Sequence, residues 1–367
     1  MIEKNQLTLV IPTRYRIQYP KLVLSYYAEI QFPYTILMID SNEDKTHIQR
    51  LTESFKNGLH LHYLSLPGLT TDQSIKVALD HIQTPYAMMV GDDDLVISQG
   101  IRTCLDFLSK NKDYSAAAGE TIWAKLIRRG SRIVLDPQRI DRGEMSKNIE
   151  QKRASDRLIG FFKSVGQCTF SVQRSENFKK NYTLVGSIDF EACPHTWPLS
   201  ELSLQGLTAI RGKIKRLEGI SLVMIRDYVL ERALNTVRMI PVTESITHPE
   251  WSPKVQQMIQ LWSEEMSFYE KMDMMEAMQK GRIAVYVWLL YRLKMYSFAI
   301  DSKNGKQVLW RLLKKGIQNR LEKRKKLPLD LRHMAAENNK RYAGFKTCYQ
   351  KLQQFCEWYT PSLSEII

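Results

Sequence analysis

The first 130 residues alternate between short, continuous apolar runs and segments with helical spacing. Continuous apolar runs bounded by turn residues predict buried strands, and apolar positions three and four apart predict amphipathic helices. Strand followed by helix, repeated, is typical of a parallel sheet covered by helices on both faces. The predicted strands are 7–12, 34–42, 59–66, one beginning at 86, and 114–127; the predicted helices are 20–29, 71–82 and 98–111.

After residue 250 the pattern changes to helical periods with few turn signals, which predicts a helical C-terminal unit. We therefore expect two domains. The first, 1–245, would be an α/β domain. The second, 246–367, would be a basic helical region.

The charge balance favours anionic partners. Lys and Arg number 53 against 39 Asp and Glu, giving a net charge of +14. Such a surplus suits phosphorylated ligands or membrane surfaces, although it is also compatible with an ordinary soluble protein. Five cysteines without a C-x-x-C pair indicate reduced thiols. With no signal-peptide pattern at the N-terminus, and Arg292 and Lys294 interrupting the apolar stretch 283–300, we expect a cytoplasmic protein.

Three adjacent aspartates, Asp92, Asp93 and Asp94, follow an apolar run and Gly91. One carboxylate would be enough to cap the helix predicted from Ser98, whereas three repel one another. A divalent cation such as Mg²⁺ or Mn²⁺ relieves that repulsion, because hard cations prefer carboxylate oxygens. A cation held by one or two carboxylates usually also binds substrate phosphates. The motif therefore predicts a metal–phosphate site at a strand end.

Several segments, in order, resemble the GT-A-fold, family-2-type glycosyltransferases, which are inverting enzymes. They are "LVIPTRYR", "MIDSN", "LPGLTTDQSIKVALDHIQTPYAMMVGDDD" and "WPLSELSLQGLTAIRGKIKRLEG". The resemblance covers about residues 7–220, with 128–196 poorly matched. It implies a GT-A-like, Rossmann-like fold, a nucleotide-sugar donor and a divalent metal. It also implies that 1–245 is the catalytic domain, with a nucleotide-sugar half at about 1–125 and an acceptor half at about 126–245. It also matches the last of these segments, 197–219, to a family helix.

The resemblance also implies roles for individual residues. Asp92 and Asp94 take the places of the D-x-D metal ligands, and Glu201 that of the catalytic base, with Ser200 replacing the acid that normally precedes it. Gly68 falls on the family's glycine, and Lys76 on the position of its asparagine. The implied nucleotide-sugar contacts are Pro12, Thr13, Arg14, Asp40, Ser41, Gly68, Lys76, Asp92 and Asp93. Arg226 is added as a candidate on chemical grounds, because guanidinium groups suit phosphate oxygens.

The chemistry is consistent with the residues taken alone. Sugar transfer from a nucleotide diphosphate leaves negative charge on the departing oxygen, which a metal can neutralise. The attacking hydroxyl loses a proton, and Glu201 is a candidate general base. Asp189 is the rival base, and Glu201 could instead be a helix-start carboxylate favoured by the helix dipole. One displacement with a carboxylate base would invert the anomeric centre.

Two further assignments remain open. His248 is a candidate third metal ligand, as late histidines are in GT-A enzymes, or an ordinary loop residue before a proline. One of Arg226, Arg232 and Arg238 could reach the diphosphate, because guanidinium groups suit phosphate oxygens.

The segment 301–341 carries 13 Lys and Arg against four Asp and Glu. Apolar and basic positions separate onto two faces of a helix predicted at 307–321. This suits docking to an anionic membrane at the inner face, or a solvated face of a packed helix. We find no nucleic-acid-binding module, so nucleic acid is not an expected partner.

The sequence thus favours a metal-dependent, inverting glycosyltransferase of cell-surface glycan or polysaccharide synthesis. A UDP-sugar is the favoured donor, and the acceptor would be a glycan, a lipid-linked saccharide or a protein. The alternative is a non-catalytic GT-A-like protein that binds nucleotide sugars or glycans, or a scaffold. A nucleotidyltransferase fits less well, because "IPTRYRIQYP" lacks the glycine-rich loop of that class.

Overall fold

A computed structural model describes residues 5–14, 18–129, 132–141, 148–164, 168–190, 197–227, 249, 251–297 and 344–358. Its centre is one nine-stranded sheet of order β3-β2-β1-β4-β8-β6-β9-β5, with β7 paired to β6. The strands are β1 Leu7–Thr13, β2 Thr35–Asp40, β3 Leu61–Ser65, β4 Tyr86–Met89, β5 Leu95–Val96, β6 Tyr114–Arg129, β7 Arg132–Asp141, β8 Val172–Arg174 and β9 Lys213–Asp227.

Ten α-helices lie in the described part of the chain. The first seven are α1 Gln18–Glu29, α2 Thr46–Phe55, α3 Thr71–Ala78, α4 Ser98–Lys110, α5 Ala154–Ser164, α6 Ser175–Val185 and α7 Trp197–Arg211. The last three are α8 Ser252–Glu270, α9 Met274–Ser297 and α10 Phe345–Trp358. A short 3₁₀ turn, Leu79–His81, follows α3.

The sheet is mostly parallel. β3, β2, β1 and β4 run side by side in the same direction, and β6 and β9 continue that direction. β8 lies antiparallel between β4 and β6, and β5 and β7 are the other antiparallel strands. In the register of β1 and β2, the last residues of the two strands, Thr13 and Asp40, are partners.

Both faces of the sheet are covered, because successive strand residues point to opposite sides. In β1, Leu9 and Ile11 join the core that lies under α1, α4 and α10, whereas Val10 joins the core under α3 and α5 to α9. β2 alternates in the same way, with Met38 in the first core and Leu37 in the second. The predicted α/β class, a mostly parallel sheet with helices on both faces, is confirmed.

One prediction from the family resemblance is wrong in detail. The match of 197–219 to a single helix fails, because α7 ends at Arg211 and β9 begins at Lys213. Gly212 marks the change: a Cβ there would lie 2.7 Å from the backbone nitrogen of Ser115, so the chain passes close to β6. The sequence pattern also left α2, β5, β7, α5, β8 and α6 unpredicted.

The described elements after β9 are helices, as the sequence predicted. α8 packs on α7, where the indole Nε1 of the fully buried Trp262 donates to the Ser203 carbonyl oxygen at 3.2 Å. α10 packs on α1 through a ring contact between Phe355 and Tyr19. The proposed division near residue 245 stays a prediction, and the segment 301–341 lies outside the described residues.

No helix in the described part of the chain has the length and apolar character that crossing a bilayer requires. α9, which covers most of the interrupted apolar stretch noted in the sequence, instead buries Ala284, Val285 and Trp288 in the second core.

Candidate functional site

The carboxyl ends of β1, β2 and β4 meet at one edge of the sheet. Thr13 ends β1, Asp40 ends β2, and Asp92 lies three residues after β4. The Thr13 hydroxyl donates a hydrogen bond of 2.8 Å to Asp92 Oδ2, and the Ser41 amide donates to the Thr13 carbonyl oxygen at 3.1 Å. Open α/β sheets bind their ligands at this edge. The structure therefore brings together the residues that the sequence analysis took from three separate strands.

The aspartate turn is compact and held from two sides. The Asp94 amide donates to the Gly91 carbonyl oxygen at 3.2 Å, and Asp94 Oδ1 accepts the Ile225 amide of β9 at 3.0 Å. A Cβ at Gly91 would lie 2.8 Å from Asp93 Oδ1, so a larger residue there would displace the Asp93 carboxylate. The carboxylates of Asp92 and Asp94 are buried, at 2% and 3% exposure.

Helix capping does not explain these carboxylates. The N-cap position of α4 is occupied by Ile97, and the cap lacks a side-chain hydrogen bond. The described bonds of Asp92 and Asp94 go instead to β1 and β9. The carboxylates are therefore oriented by β1 and β9, the strands on either side of the turn. Capping of α4 would not need these two contacts.

Asp40 is fully enclosed and shapes the loop after β2. Its Oδ1 accepts from the Asn42 amide at 3.0 Å and from Asn42 Nδ2 at 2.6 Å, and its Oδ2 accepts from the Tyr63 hydroxyl at 2.8 Å. Burial is the main cause that raises the pKa of Tyr63, and the neighbouring Asp40 carboxylate raises it further. The Tyr63 hydroxyl is therefore protonated at neutral pH and can donate to Asp40. In this structure Asp40 orders residues 40–42, and Ser41 is buried beside it.

The loop between β3 and α3 closes over the end of β2. The amide of Leu66 donates to the Asp40 carbonyl oxygen at 2.8 Å, and that of Gly68 to the Ser41 carbonyl oxygen at 3.4 Å. Gly68 has φ +74°, a conformation that favours glycine. Lys76, in α3, donates to the Ser187 hydroxyl at 2.8 Å, so its described contact is with the chain after α6.

Glu201 lies in the first turns of α7 and is oriented by two neutral donors. Its Oε1 accepts from Thr169 Oγ1 at 3.0 Å and from Gln205 Nε2 at 2.9 Å. Donors to the ionised form stabilise a carboxylate. Thr169 precedes β8, which runs antiparallel to β4, so the start of β8 lies towards the carboxyl end of β4. Thr169, the residue to which Glu201 is bonded, therefore lies on the side of the carboxyl end of β4.

The other predicted site residues are more scattered. Pro12 and Arg14 flank Thr13 and are half-buried, and Asp189 is exposed after α6. Arg226 lies in β9 opposite Lys125 of β6, and its side chain is outside the described part. His248, Arg232 and Arg238 also lie outside the described residues.

A divalent cation fits Asp92 and Asp94 in one particular way. Within the described ranges, no group of three or more His, Cys, Asp or Glu side chains could hold a metal ion. Two carboxylates are nevertheless enough protein ligands for a divalent cation whose other positions are taken by water and substrate phosphate oxygens. The residues therefore fit a metal that arrives with, or is completed by, a phosphorylated ligand.

Three residues that hold these groups in place were not predicted from the sequence: Tyr63, Thr169 and Gln205. Gln205 could have been found, because it lies four residues after Glu201 on a helix, where side chains meet. Tyr63 and Thr169 act across 23 and 32 residues of sequence, and no local pattern signals such contacts.

Comparisons with known proteins give distant structural likenesses. No protein-family model matches the chain, and a search of curated proteins found no match. Among solved structures, S. aureus TarS 1-349 is similar with a TM-score of 0.44 and 14% identity, covering 79% of this chain and 92% of that one. The same protein in complex with UDP-GlcNAc gives 0.44 and 12% over the same shares.

A third structure is the mannosyltransferase PcManGT from Pyrobaculum calidifontis in complex with GDP-Man and Mn²⁺. Its TM-score is 0.40 at 9% identity, covering 95% of this chain and 87% of that one. Because these scores and identities are low, the function proposed below is argued from this chain's own residues.

Proposed function

We propose that this protein is a metal-dependent, inverting glycosyltransferase that moves a sugar from a nucleotide diphosphate to a hydroxyl acceptor. The observation that carries the proposal is the junction of Thr13 and Asp92 at the carboxyl ends of two parallel strands, with Asp94 buried beside it. Oriented carboxylates at this edge, in a chain of net charge +14, suit a metal-bound diphosphate.

Each group has a defined part in this proposal. Asp92 and Asp94 would hold Mn²⁺ or Mg²⁺, which when bound neutralises charge on the departing diphosphate. Thr13, at the end of β1, and residues 40–42, after β2, would form the wall on which the nucleotide lies, which we call the donor wall. Glu201 accepts the proton of the attacking hydroxyl, while the hydrogen bonds from Thr169 and Gln205 orient its carboxylate. We favour a UDP-sugar donor and an acceptor in cell-surface glycan synthesis, reached from the cytoplasmic side.

One specific observation favours the non-catalytic alternative, a domain that only binds nucleotide sugars or glycans. Both Asp40 and Glu201 are engaged by protein donors, as structural carboxylates are. Adding acceptor to the protein with a bound UDP-sugar separates the two functions. An enzyme releases the nucleotide with formation of the glycoside, whereas a binding domain returns the donor intact.

The metal–nucleotide site is tested by calorimetry. We expect UDP to bind the wild type at least about tenfold more tightly with Mn²⁺ than with EDTA, because the cation bridges phosphate and carboxylates. Asp94→Ala should abolish the Mn²⁺ effect, whereas Asp106→Ala, which removes an exposed carboxylate of α4, should retain it. Tight UDP binding that ignores both EDTA and Asp94→Ala would contradict a metal bridge.

A further inference from the structure

A buried carboxylate outside the predicted site joins α3 to α7. Asp72, in the first turn of α3, accepts a short hydrogen bond at Oδ2 from the Ser200 hydroxyl, across 128 residues of sequence. The two residues are 7% and 6% exposed. A buried carboxylate is costly unless it is hydrogen-bonded, so this contact ties the two helix starts together.

The α3 end of this contact is fixed to the proposed donor wall. Two amides of the preceding loop, those of Leu66 and Gly68, bond the carbonyl oxygens of Asp40 and Ser41. The start of α3 is then set by a capping box between Thr70 and Gln73. Asp72 therefore has a position determined by the loop after β2.

The end of α6 closes the same junction from another side. A Cβ on Gly186 would lie 2.8 Å from the Asp72 carbonyl oxygen and 2.8 Å from Lys76 Cβ, so the backbones are in close contact. The bond between Lys76 and Ser187 holds this packing in place. The first turn of α3 consequently has little room to shift.

The α7 end of the contact lies directly before Glu201. The Ser200 hydroxyl points to Asp72, and the next side chain, Glu201, points to Thr169. We propose that Asp72, acting through Ser200, is a positioning residue that fixes Glu201 relative to the donor wall. This inference rests on the function proposed above, in which Glu201 is the general base.

The physical reason is the sensitivity of proton abstraction to geometry. A catalytic group misplaced by about 1 Å can cost about 10²-fold in rate without changing what binds. Loss of the Ser200 hydroxyl removes the described hydrogen bond between α7 and α3, while the donor wall at Thr13 and residues 40–42 keeps its own hydrogen bonds. The effect should therefore fall on turnover and spare donor binding.

The test compares steady-state kinetics of sugar transfer in Asp72→Ala, Ser200→Ala, Ser200→Thr and the wild type. We expect Ser200→Ala and Asp72→Ala, each of which removes one partner of the hydrogen bond, to lower kcat about 10- to 100-fold, with the donor KM and the UDP affinity within about twofold of wild type. Ser200→Thr retains the hydroxyl and should recover most of the activity. The double variant should be no worse than the poorer single variant, because the two residues act as one unit.

A matched control lies on the same helix. Ser203 is fully buried in α7 and its hydroxyl bonds only the Leu199 carbonyl oxygen among its described partners. Ser203→Ala is thus the same substitution at equal burial, without the bond to α3, and we expect its kcat to stay within about twofold of wild type.

The outcomes separate this inference from the proposed function. If the wild type transfers sugar and Ser200→Ala keeps its kcat, the positioning role is wrong while the proposed function stands. If kcat falls only in proportion to the folded fraction, measured by circular dichroism, the pair is merely structural and the inference is also wrong. A wild type that binds nucleotide sugar but transfers nothing contradicts the proposed function itself.

Discussion

At the scale of single residues, the proposed base is the sharpest assignment to test. Glu201→Gln keeps the size of the side chain and an oxygen that can accept from Thr169 and Gln205, but it cannot take a proton. We expect donor affinity to stay within about twofold, while turnover falls about 10²- to 10⁴-fold. Isothermal titration with UDP-sugar and a transfer assay give the two quantities.

Asp189→Asn decides between the two candidate bases. Asp189 is exposed after α6, whereas Glu201 is held by two donors on α7. If Asp189→Asn loses turnover and Glu201→Gln retains it, the base is Asp189, and the hydrogen bonds that orient Glu201 serve a structural role.

The buried Asp72 carboxyl has a consequence for stability as a function of pH. Burial raises its pKa, and the Ser200 hydroxyl offsets only part of that effect. Above the ordinary Asp pKa of about 4, the folded state therefore retains a proton that the unfolded state has lost. The contribution of Asp72 to the free energy of unfolding is therefore largest below the ordinary Asp pKa, and it declines as the pH rises through the raised pKa of the folded state.

We therefore expect the wild type to lose stability relative to Asp72→Asn as the pH rises from about 4 towards neutrality. Urea denaturation of both proteins across this range gives the difference in their free energies of unfolding, which cancels the titration of other groups. A difference that stays constant with pH would show that Asp72 titrates alike in both states.

At the scale of elements, the junction of α7 and α8 depends on one small residue. A Cβ at Gly206 would collide with the indole of Trp262, which is fully buried and bonded to the Ser203 carbonyl oxygen. In Gly206→Ala the clash should lower the free energy of unfolding by about 3 kcal/mol, and the higher helix propensity of alanine should raise it by about 1 kcal/mol. We expect a net loss of about 2 kcal/mol in the free energy of unfolding.

Thermal and urea denaturation measure this effect against Gly58→Ala. A Cβ at Gly58 would have the Phe55 carbonyl oxygen, 4.0 Å away, as its only close neighbour, so that variant should be nearly neutral. Equal stabilities of the two variants would mean that α8 does not press on α7 as described.

The sequence predicts the first half of the sheet well, for a physical reason. β1, β2 and β4 are buried on both faces, so each is a continuous apolar run that stops at a turn. β9 was missed because it carries Lys, Arg and Glu along a strand of 15 residues. Its location depends on pairing with β6, a partner about 100 residues earlier, which no local pattern contains.

In the candidate site, too, some features could be predicted from the sequence and others could not. The carboxylates of Asp92 and Asp94 could be expected at a strand end, because three adjacent like charges require a cause. The contacts that orient the site, from Thr13 to Asp92 and from Ser200 to Asp72, cross 79 and 128 residues. They follow from strand order and helix packing, which the sequence specifies only as a whole.

At the scale of the whole molecule, the proposed catalytic chemistry and the charge lie in different parts of the chain. Every proposed donor, metal and base residue precedes residue 249, whereas 301–341 holds a surplus of nine positive charges. That segment lies outside the described residues. Apolar and basic positions on opposite helix faces suit an interfacial helix, and we propose that the segment gives access to an acceptor at an anionic membrane.

Charge reversal tests this proposal without removing the apolar positions that a packed helix would need. We expect sedimentation with vesicles rich in anionic phospholipid to fall when four lysines of the segment become Glu, with UDP-sugar hydrolysis unchanged. Raising the salt concentration should weaken the wild type similarly, because salt screens surface charge. The four substitutions are Lys314→Glu, Lys315→Glu, Lys323→Glu and Lys325→Glu.

A control of equal charge distinguishes a local docking surface from the net charge of the protein. Four exposed lysines elsewhere, Lys21, Lys110, Lys112 and Lys346, are changed to Glu together. A local docking surface predicts that this control still sediments with the vesicles, because each basic group contributes only where it approaches the lipid, at about 1 kcal/mol apiece. Equal loss in both variants would mean that the overall field of the protein attracts it to membranes. Unchanged sedimentation of the variant in 301–341 would contradict membrane docking and leave a packed helix with a solvated basic face as the better account.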